Sequence, residues 1–232
     1  LSDPARRVRP KDAASLLVYD SVKGEIRFLM GVRAASHLFM PGHLVFPGGR
    51  LEASDMALAR HLAVDAAVAT RLMAGSPKPR ITCHAAALAL AAIRETQEET
   101  GLLVAELGRP LAMPAGWEPF AAAGAVPTPR ALMPLARAIT PPGLPRRFDA
   151  RFFLVSADRL LDRRLPARPP TDEFDTVIWV GPEQLKNFRV AEITARVLDA
   201  AFRRLEAGTQ DDPWAPIPFF RRRRGEHTVE YL

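Results

Sequence analysis

Three carboxylates in this 232-residue chain fall on one side of a single helix-forming segment. They are Glu95, Glu98 and Glu99, in the run Arg94-Glu95-Thr96-Gln97-Glu98-Glu99-Thr100-Gly101-Leu102. At helical spacing they occupy an arc of roughly 100°. Like charges at i,i+3 and i,i+4 destabilise a bare helix, so a segment that keeps them is expected to offset the repulsion with bound cations. Carboxylate oxygens suit Mg²⁺ or Mn²⁺, and Mg²⁺ usually arrives with substrate phosphates. Arg94 lies one turn before Glu98 and is expected to orient that carboxylate through charged hydrogen bonds. Upstream, Phe46-Pro47-Gly48-Gly49 reads as a turn whose glycines let the backbone bend sharply and approach a partner closely. Alone, such a turn is generic.

The elements that must position these residues are read from periodicity. Ala13 to Asp20 and Glu25 to Arg33 read as paired strands around a Lys23-Gly24 turn, and Leu44 to Phe46 as a short strand entering the glycines. Met56 to Leu72 is Ala-rich and predicts one helix, and His84 to Thr100 predicts a second, stopped by Gly101. Strand patterns follow at Leu132 to Ile139, Phe148 to Val155 and Phe174 to Val180. A short helix is expected to open at Pro182, and a terminal one spans Ala191 to Glu206, with Ile193, Val197, Leu198 and Phe202 as its apolar stripe. This mixed order predicts a single α/β domain over residues 1–232, a sandwich with a mixed sheet. A helical insertion is expected at about 56–83 and a frayed basic tail at about 209–232.

Composition narrows the class. No run of 18 or more purely apolar residues occurs, so no membrane span is predicted, and the basic N-terminal stretch lacks the apolar region of a secretory signal. The single cysteine, Cys83, excludes an internal disulfide and agrees with a reducing cytoplasm. The net charge of +6 is carried mostly by arginine, since lysine occurs only at positions 11, 23, 78 and 186. Arginine suits phosphate, and a polyanionic substrate fits this balance as well as plain solvation does. Arg147, Asp149 and Arg151 share one face of a predicted strand, to grip phosphate or to form the outer face of an edge strand. Arg33, which ends another strand, is a further candidate for the mouth of the site. The histidines show no ligand spacing, so no zinc site is predicted. No RNA-binding motif accompanies the Arg221 to Arg224 run, so no nucleic-acid partner is expected.

The split pattern resembles the Nudix box, G-x5-E-x7-R-E-U-x-E-E-x-G-U with U a bulky apolar residue. Gly49, Arg94, Glu95, Glu98, Glu99, Gly101 and Leu102 match, and Thr96 takes the first U position. The early acid has two possible places. Gly49 followed by five residues reaches Asp55, and 38 residues (93 − 55) come next where the family has seven. If the insertion instead precedes the early acid, that position is Ala86. An interrupted box is similar to the Nudix branch of peroxisomal coenzyme A diphosphatases and their bacterial relatives. The likeness extends to Phe39-Met40-Pro41-Gly42, the Phe46 to Gly49 turn, Ile139 to Gly143 and Arg147 to Phe153.

The resemblance implies an α/β/α sandwich and metal-dependent hydrolysis of a diphosphate linkage in a nucleoside diphosphate derivative. Glu95, Glu98 and Glu99 would hold Mg²⁺ or Mn²⁺, Arg94 would orient them, and Gly48 and Gly49 would let the diphosphate approach. Family members place the general base either in the box or on a distant loop. Glu173 is the distant candidate here, beside Asp172 and Asp175, and a solvated acidic loop is the plain alternative. Coenzyme A or an acyl-CoA is the favoured substrate by resemblance. NADH or ADP-ribose is the alternative, and a non-catalytic Nudix-fold ligand- or RNA-binding module is the rival from another class. Nudix proteins are often dimers, which extends the expectation to a homodimer.

Overall fold

The structure, a computed structural model, describes residues 8–36, 41–76, 82–108, 112–223 and 226–232. Phe39, Met40, His37 and Arg224 of the sequence reading lie outside these residues. The strands β1 (Lys11–Val22) and β2 (Glu25–Arg33) form a hairpin whose register closes at Val22 and Glu25. Its two turn residues, Lys23 and Gly24, both have positive φ (53° and 84°), as a two-residue hairpin of type I′ requires. Then come β3 (His43–Val45), β4 (Gly48–Arg50), α1 (Ala53–Leu58), α2 (Ala66–Met73) and α3 (Thr82–Thr100). A two-stranded ribbon, β5 (Ala105–Leu107) with β6 (Ala125–Pro127), encloses α4 (Glu118–Ala122). The chain continues through β7 (Met133–Ile139), β8 (Phe148–Ser156), β9 (Phe174–Val180), α5 (Pro182–Leu185), β10 (Arg189–Val190) and α6 (Glu192–Glu206). It closes with β11 (Pro218–Arg223) and β12 (Glu226–Tyr231).

The main sheet runs β10-β3-β2-β1-β8-β7-β11-β12, with β4 also on β1 and β9 also on β2. It is mixed: β1–β8, β3–β10 and β7–β11 are parallel and the other pairs antiparallel. Side-chain alternation sends successive residues to opposite faces, and both faces are buried. Leu16, Val18, Phe153 and Val155 pack with α3 in one core, while Leu17, Phe152 and Leu154 pack with Val197, Leu198 and Ala201 of α6 in the other. This is the expected α/β/α sandwich. No helix among the described residues is long and apolar enough to cross a membrane.

Two expectations are corrected. The single helix expected from Met56 to Leu72 is two short helices separated by residues 59–65. The reason is what they cover. Residues Ala85 to Ile93 of α3 are essentially fully buried all round the helix, and a helix apolar on every side needs cover on its outer face. Leu58, Val64, Val68 and Leu72 supply that cover in the same core. Breaking the segment brings all four to α3, and this packing overrides helix propensity. The insertion is therefore a packing layer. The frayed tail is corrected too: β11 and β12 form an antiparallel hairpin that extends the sheet beyond β7. The arginine run hid its alternation. Arg221 is spent on a salt bridge to Glu230 (2.6 Å), and Phe219 and Phe220 turn to opposite faces.

Buried charges fasten the insertion to the sheet. Arg137 on β7 meets Asp149 on β8 through two hydrogen bonds of 2.8 Å, and its third nitrogen reaches the Ala74 carbonyl at 2.9 Å. Arg151 pairs with the same Asp149 (2.5 Å) and reaches Ser76 Oγ at 3.3 Å. Burial would raise the Asp149 pKa, but the two arginines outweigh it and hold the carboxyl below its ordinary value. β8 lies between β1 and β7, so Arg151 is not on an edge strand, and Arg147 falls one residue before β8. Removing one member of a buried charge cluster leaves the others uncompensated. Asp149→Asn is expected to lower stability by about 3 kcal/mol, read as a shift in the chemical-denaturation midpoint.

Candidate active site

The box begins where β4 pairs with β1, Gly48 opposite Ser15 and Gly49 opposite Ala14. Both glycines are required by close approach. A Cβ on Gly48 would lie 2.6 Å from the Ala14 carbonyl oxygen, and one on Gly49 would lie 2.3 Å from the Glu95 carboxyl carbon. The Gly48 amide donates to Glu99 Oε2 at 2.9 Å. The carboxylates sit on the last turns of α3, which Gly101 ends in a left-handed conformation (φ 77°). Thr96 is tolerated at an apolar box position because its buried hydroxyl donates to the Ala92 carbonyl at 2.7 Å.

Arg94 is the hub. It is 2% exposed and its guanidinium faces Asp55 through Nε (2.9 Å) and Nη2 (3.2 Å). Nη1 meets Glu95 and Glu98 at 3.0 Å each, and Nη2 also donates to the Arg50 carbonyl at 2.9 Å. Burial opposes its charge, but Asp55, Glu95 and Glu98 together raise its pKa. Of the two positions the sequence offers for an early acid, Asp55 is the one that meets Arg94. Asp55 is fully buried against Arg94, while Ala86 packs in the apolar core. Asp55 Oδ2 also accepts from the Glu52 amide at 2.8 Å, which fixes the start of α1.

Arg33 and Glu173 join this group from the far end of β2 and the start of β9. Arg33 Nη2 donates to Glu173 Oε2 at 3.2 Å, and the Ala34 amide donates to the Glu173 carbonyl at 3.0 Å. Both charges act on Glu99, Glu173 raising and Arg33 lowering its pKa. Arg147 and Arg151 are not brought here. Arg147 donates to the Thr140 and Val8 carbonyls, and Arg151 belongs to the Asp149 cluster. One participant went unread in the sequence. Gly116, with φ 87°, lies so close that a Cβ there would be 3.8 Å from Glu98 Oε1 and 3.7 Å from Arg94 Cδ. The signal available was a Pro114-Ala115-Gly116 turn, which by itself names no partner.

The electrostatics are lopsided. Five carboxyl groups (Asp55, Glu95, Glu98, Glu99 and Glu173) face two guanidiniums (Arg33 and Arg94), three more acidic groups than basic ones (5 − 2). Burial pushes Glu95 up to about 7, with the Glu98 charge adding to it, and burial raises Glu99 well above the ordinary value, helped by Glu95 and Glu173. Burial raises Asp55 too, against the pull of Arg94. Among the described residues no three His, Cys, Asp or Glu side chains stand ready as a cation cage. The donor set still suits a hard cation. It is all oxygen, it carries uncompensated charge, and Glu95, Glu98 and Glu99 each engage the described protein through one oxygen.

Two outcomes follow from this arrangement. A carboxyl whose folded pKa is raised contributes stability below its unfolded value of about 4.5 and loses it as pH rises through the folded value. With a chelator present, the melting temperature should therefore fall between pH 4.5 and about 7, and Glu95→Gln should flatten that slope. Asp55→Asn should cost about 3 kcal/mol by unpairing Arg94, measured by denaturant unfolding.

No protein-family profile matches the chain, and a comparison with curated proteins finds no match. Solved structures do match. A NUDIX hydrolase from Alicyclobacillus acidocaldarius is 27% identical, with 83% of this chain and 90% of that one covered and a TM-score of 0.63. A MutT/nudix family protein from Enterococcus faecalis shares the fold at 13% identity, covering 91% and 68%, with a TM-score of 0.51. The NUDIX domain of Shewanella oneidensis NrtR, solved with ADP ribose, shares it at 10% identity, covering 88% and 94%, with a TM-score of 0.50. A mixed-sheet sandwich, an acid-rich helix gripped by one buried arginine and the likeness to a NUDIX hydrolase along most of both chains converge: this protein is a hydrolase of the Nudix superfamily.

Proposed function

We propose that the chain hydrolyses a diphosphate linkage in a nucleoside diphosphate derivative, with Glu95, Glu98 and Glu99 holding Mg²⁺ or Mn²⁺. The observation that carries this reading is the excess of buried carboxylate gathered against the Gly48-Gly49 turn. A bound divalent ion supplies charge neutralisation at the diphosphate and a more acidic water. The chain's own residues do the rest. Arg94 fixes the orientation of Glu95 and Glu98 by holding one oxygen of each. The side-chain-free Gly49 lets the backbone lie against Glu95, leaving room for phosphate oxygens beside it. Glu173, held by Arg33, takes the proton of the attacking water. The water oxygen bonds to one phosphorus, the bridging P–O bond breaks, and a nucleoside monophosphate leaves with a second phosphorylated group. Arg33 meets the phosphate oxygens.

The interrupted box puts coenzyme A and acyl-CoA first among substrates. ADP-ribose and NADH come second, since a NUDIX domain of this fold was solved with ADP ribose. The test is product analysis on a panel of coenzyme A, acetyl-CoA, NADH, ADP-ribose and diadenosine polyphosphates with Mg²⁺ or Mn²⁺. Release of 3′,5′-ADP from coenzyme A is expected, with Glu98→Gln lowering kcat by about 100-fold or more while the fold is retained. Cleavage of another panel member alone would overturn the substrate. Turnover that Glu98→Gln leaves intact would overturn the site.

A further inference from the structure

The main sheet ends in the hairpin of β11 and β12, and among the described residues no strand pairs with the outer edge of β12. The hydrogen bonds inside the hairpin decide which groups that edge offers. Ile217 and Leu232 exchange both backbone bonds, the Ile217 amide donating at 3.5 Å and the Leu232 amide at 3.0 Å. In an antiparallel pair bonded and non-bonded positions alternate. Glu226, Thr228 and Glu230 therefore turn their amides and carbonyls to β11, while His227, Val229 and Tyr231 turn theirs outward. The side chains of these three share one face, and Val229 and Tyr231 are 43% and 66% exposed. On that face they line, with Pro218 and Phe220, a cavity of about 420 Å³ walled by α6 at Ala200 and Ala207. Backbone groups at the edge and apolar surface beside it thus lack a partner together. An added strand meets both needs.

The edge lacks the devices that keep sheet edges apart. β12 has no lysine, no proline and no bulge, and its Glu230 is drawn back to Arg221 at 2.6 Å. It is also self-complementary in one register. With two copies antiparallel about Val229, Val229 meets Val229 of the second copy and His227 meets Tyr231. On the other face Thr228 meets Glu230. Every outward residue of each copy is then bonded, and no two carboxylates of β12 side chains are opposed. The nearest registers that still set outward residues against each other are centred on Thr228 and on Glu230. The first opposes Glu226 to Glu230, and the second opposes Glu230 to itself. Like charges directly opposite across strands are destabilising, so the pattern selects the register centred on Val229.

We propose that β12 pairs antiparallel with β12 of a second copy of this chain, centred on Val229, so that one sheet runs through a symmetric dimer. The inference is independent of the function proposed above. Sedimentation velocity of the full chain over a concentration series is expected to show monomer and dimer in exchange. The dissociation constant should be on the order of 10 µM, because so short an edge falls below the roughly 1,200 Å² of a standard interface. Val229→Pro removes an amide that points away from β11, so the hairpin keeps its own ladder. That variant should stay monomeric, with a circular dichroism spectrum like the wild type's, whereas Val229→Thr keeps the amide and should still dimerise. Cross-linking reads the same register should the proline variant fail to fold. In a Cys83→Ser background, Val229→Cys places two Cα atoms about 5.5 Å apart, within disulfide range. Mild oxidation should then give a covalent dimer, while Thr228→Cys, opposite Glu230, should give none. A wild type still monomeric at ~300 µM overturns the proposal and leaves the edge to a strand of another protein. A dimer that survives Val229→Pro also overturns it, as does cross-linking through Thr228→Cys in preference to Val229→Cys.

Discussion

One buried guanidinium organises the functional end of this molecule. Arg94 is taken out of water at a cost that only several charged partners can offset, and it has them: Asp55 across the insertion, Glu95 and Glu98 on its own helix, and the Arg50 carbonyl on β4. Three separate pieces of chain are thus locked to one planar group. The lock is also what lets acidic residues crowd together at the end of α3: Asp55 spends both oxygens on Arg94, while Glu95 and Glu98 each meet it through one.

The chemistry was more legible in the sequence than the frame that presents it. The order Arg94, Glu95, Glu98, Glu99 on a helix is a local pattern, and helical geometry alone puts the carboxylates on one side. The place of the early acid is not local. Asp55 and Ala86 were equally open because the choice depends on which of them packs 3 Å from Arg94 in space, and 39 residues separate Asp55 from Arg94 in sequence. The Arg33–Glu173 pair, 140 residues apart, was named residue by residue but could not be joined without β2 and β9 lying side by side. Arg151 shows the converse. With Asp149 it shares a face of β8, as alternation predicts, but alternation gives a face without saying what covers it, and here Ala74 and Ser76 meet that charge cluster.

The segment between Asp55 and α3 packs against the elements that present the site. It leaves after Asp55 and returns into the N-terminus of α3, so both of its ends lie against elements the site already requires. Between them it spends its apolar residues on the outer face of a helix that is alanine and leucine nearly all round. The helix gains a second buried side, the sheet clamps the returning segment through Arg137 and Arg151, and the carboxylates at the far end of α3 gain a rigid support.

The pairing of β1 with β8 carries a consequence for how the chain reaches this structure. β1 forms its hairpin with β2 across a two-residue turn, but its other edge waits for a partner that begins 137 positions later, Lys11 opposite Phe148. Loop closure over that span must precede any reward from the central parallel pairing. While the chain emerges from the ribosome, the hairpin therefore exposes an unpaired apolar edge, Leu16-Leu17-Val18, for most of synthesis. The time until β8 arrives sets how long that edge is open to wrong pairing.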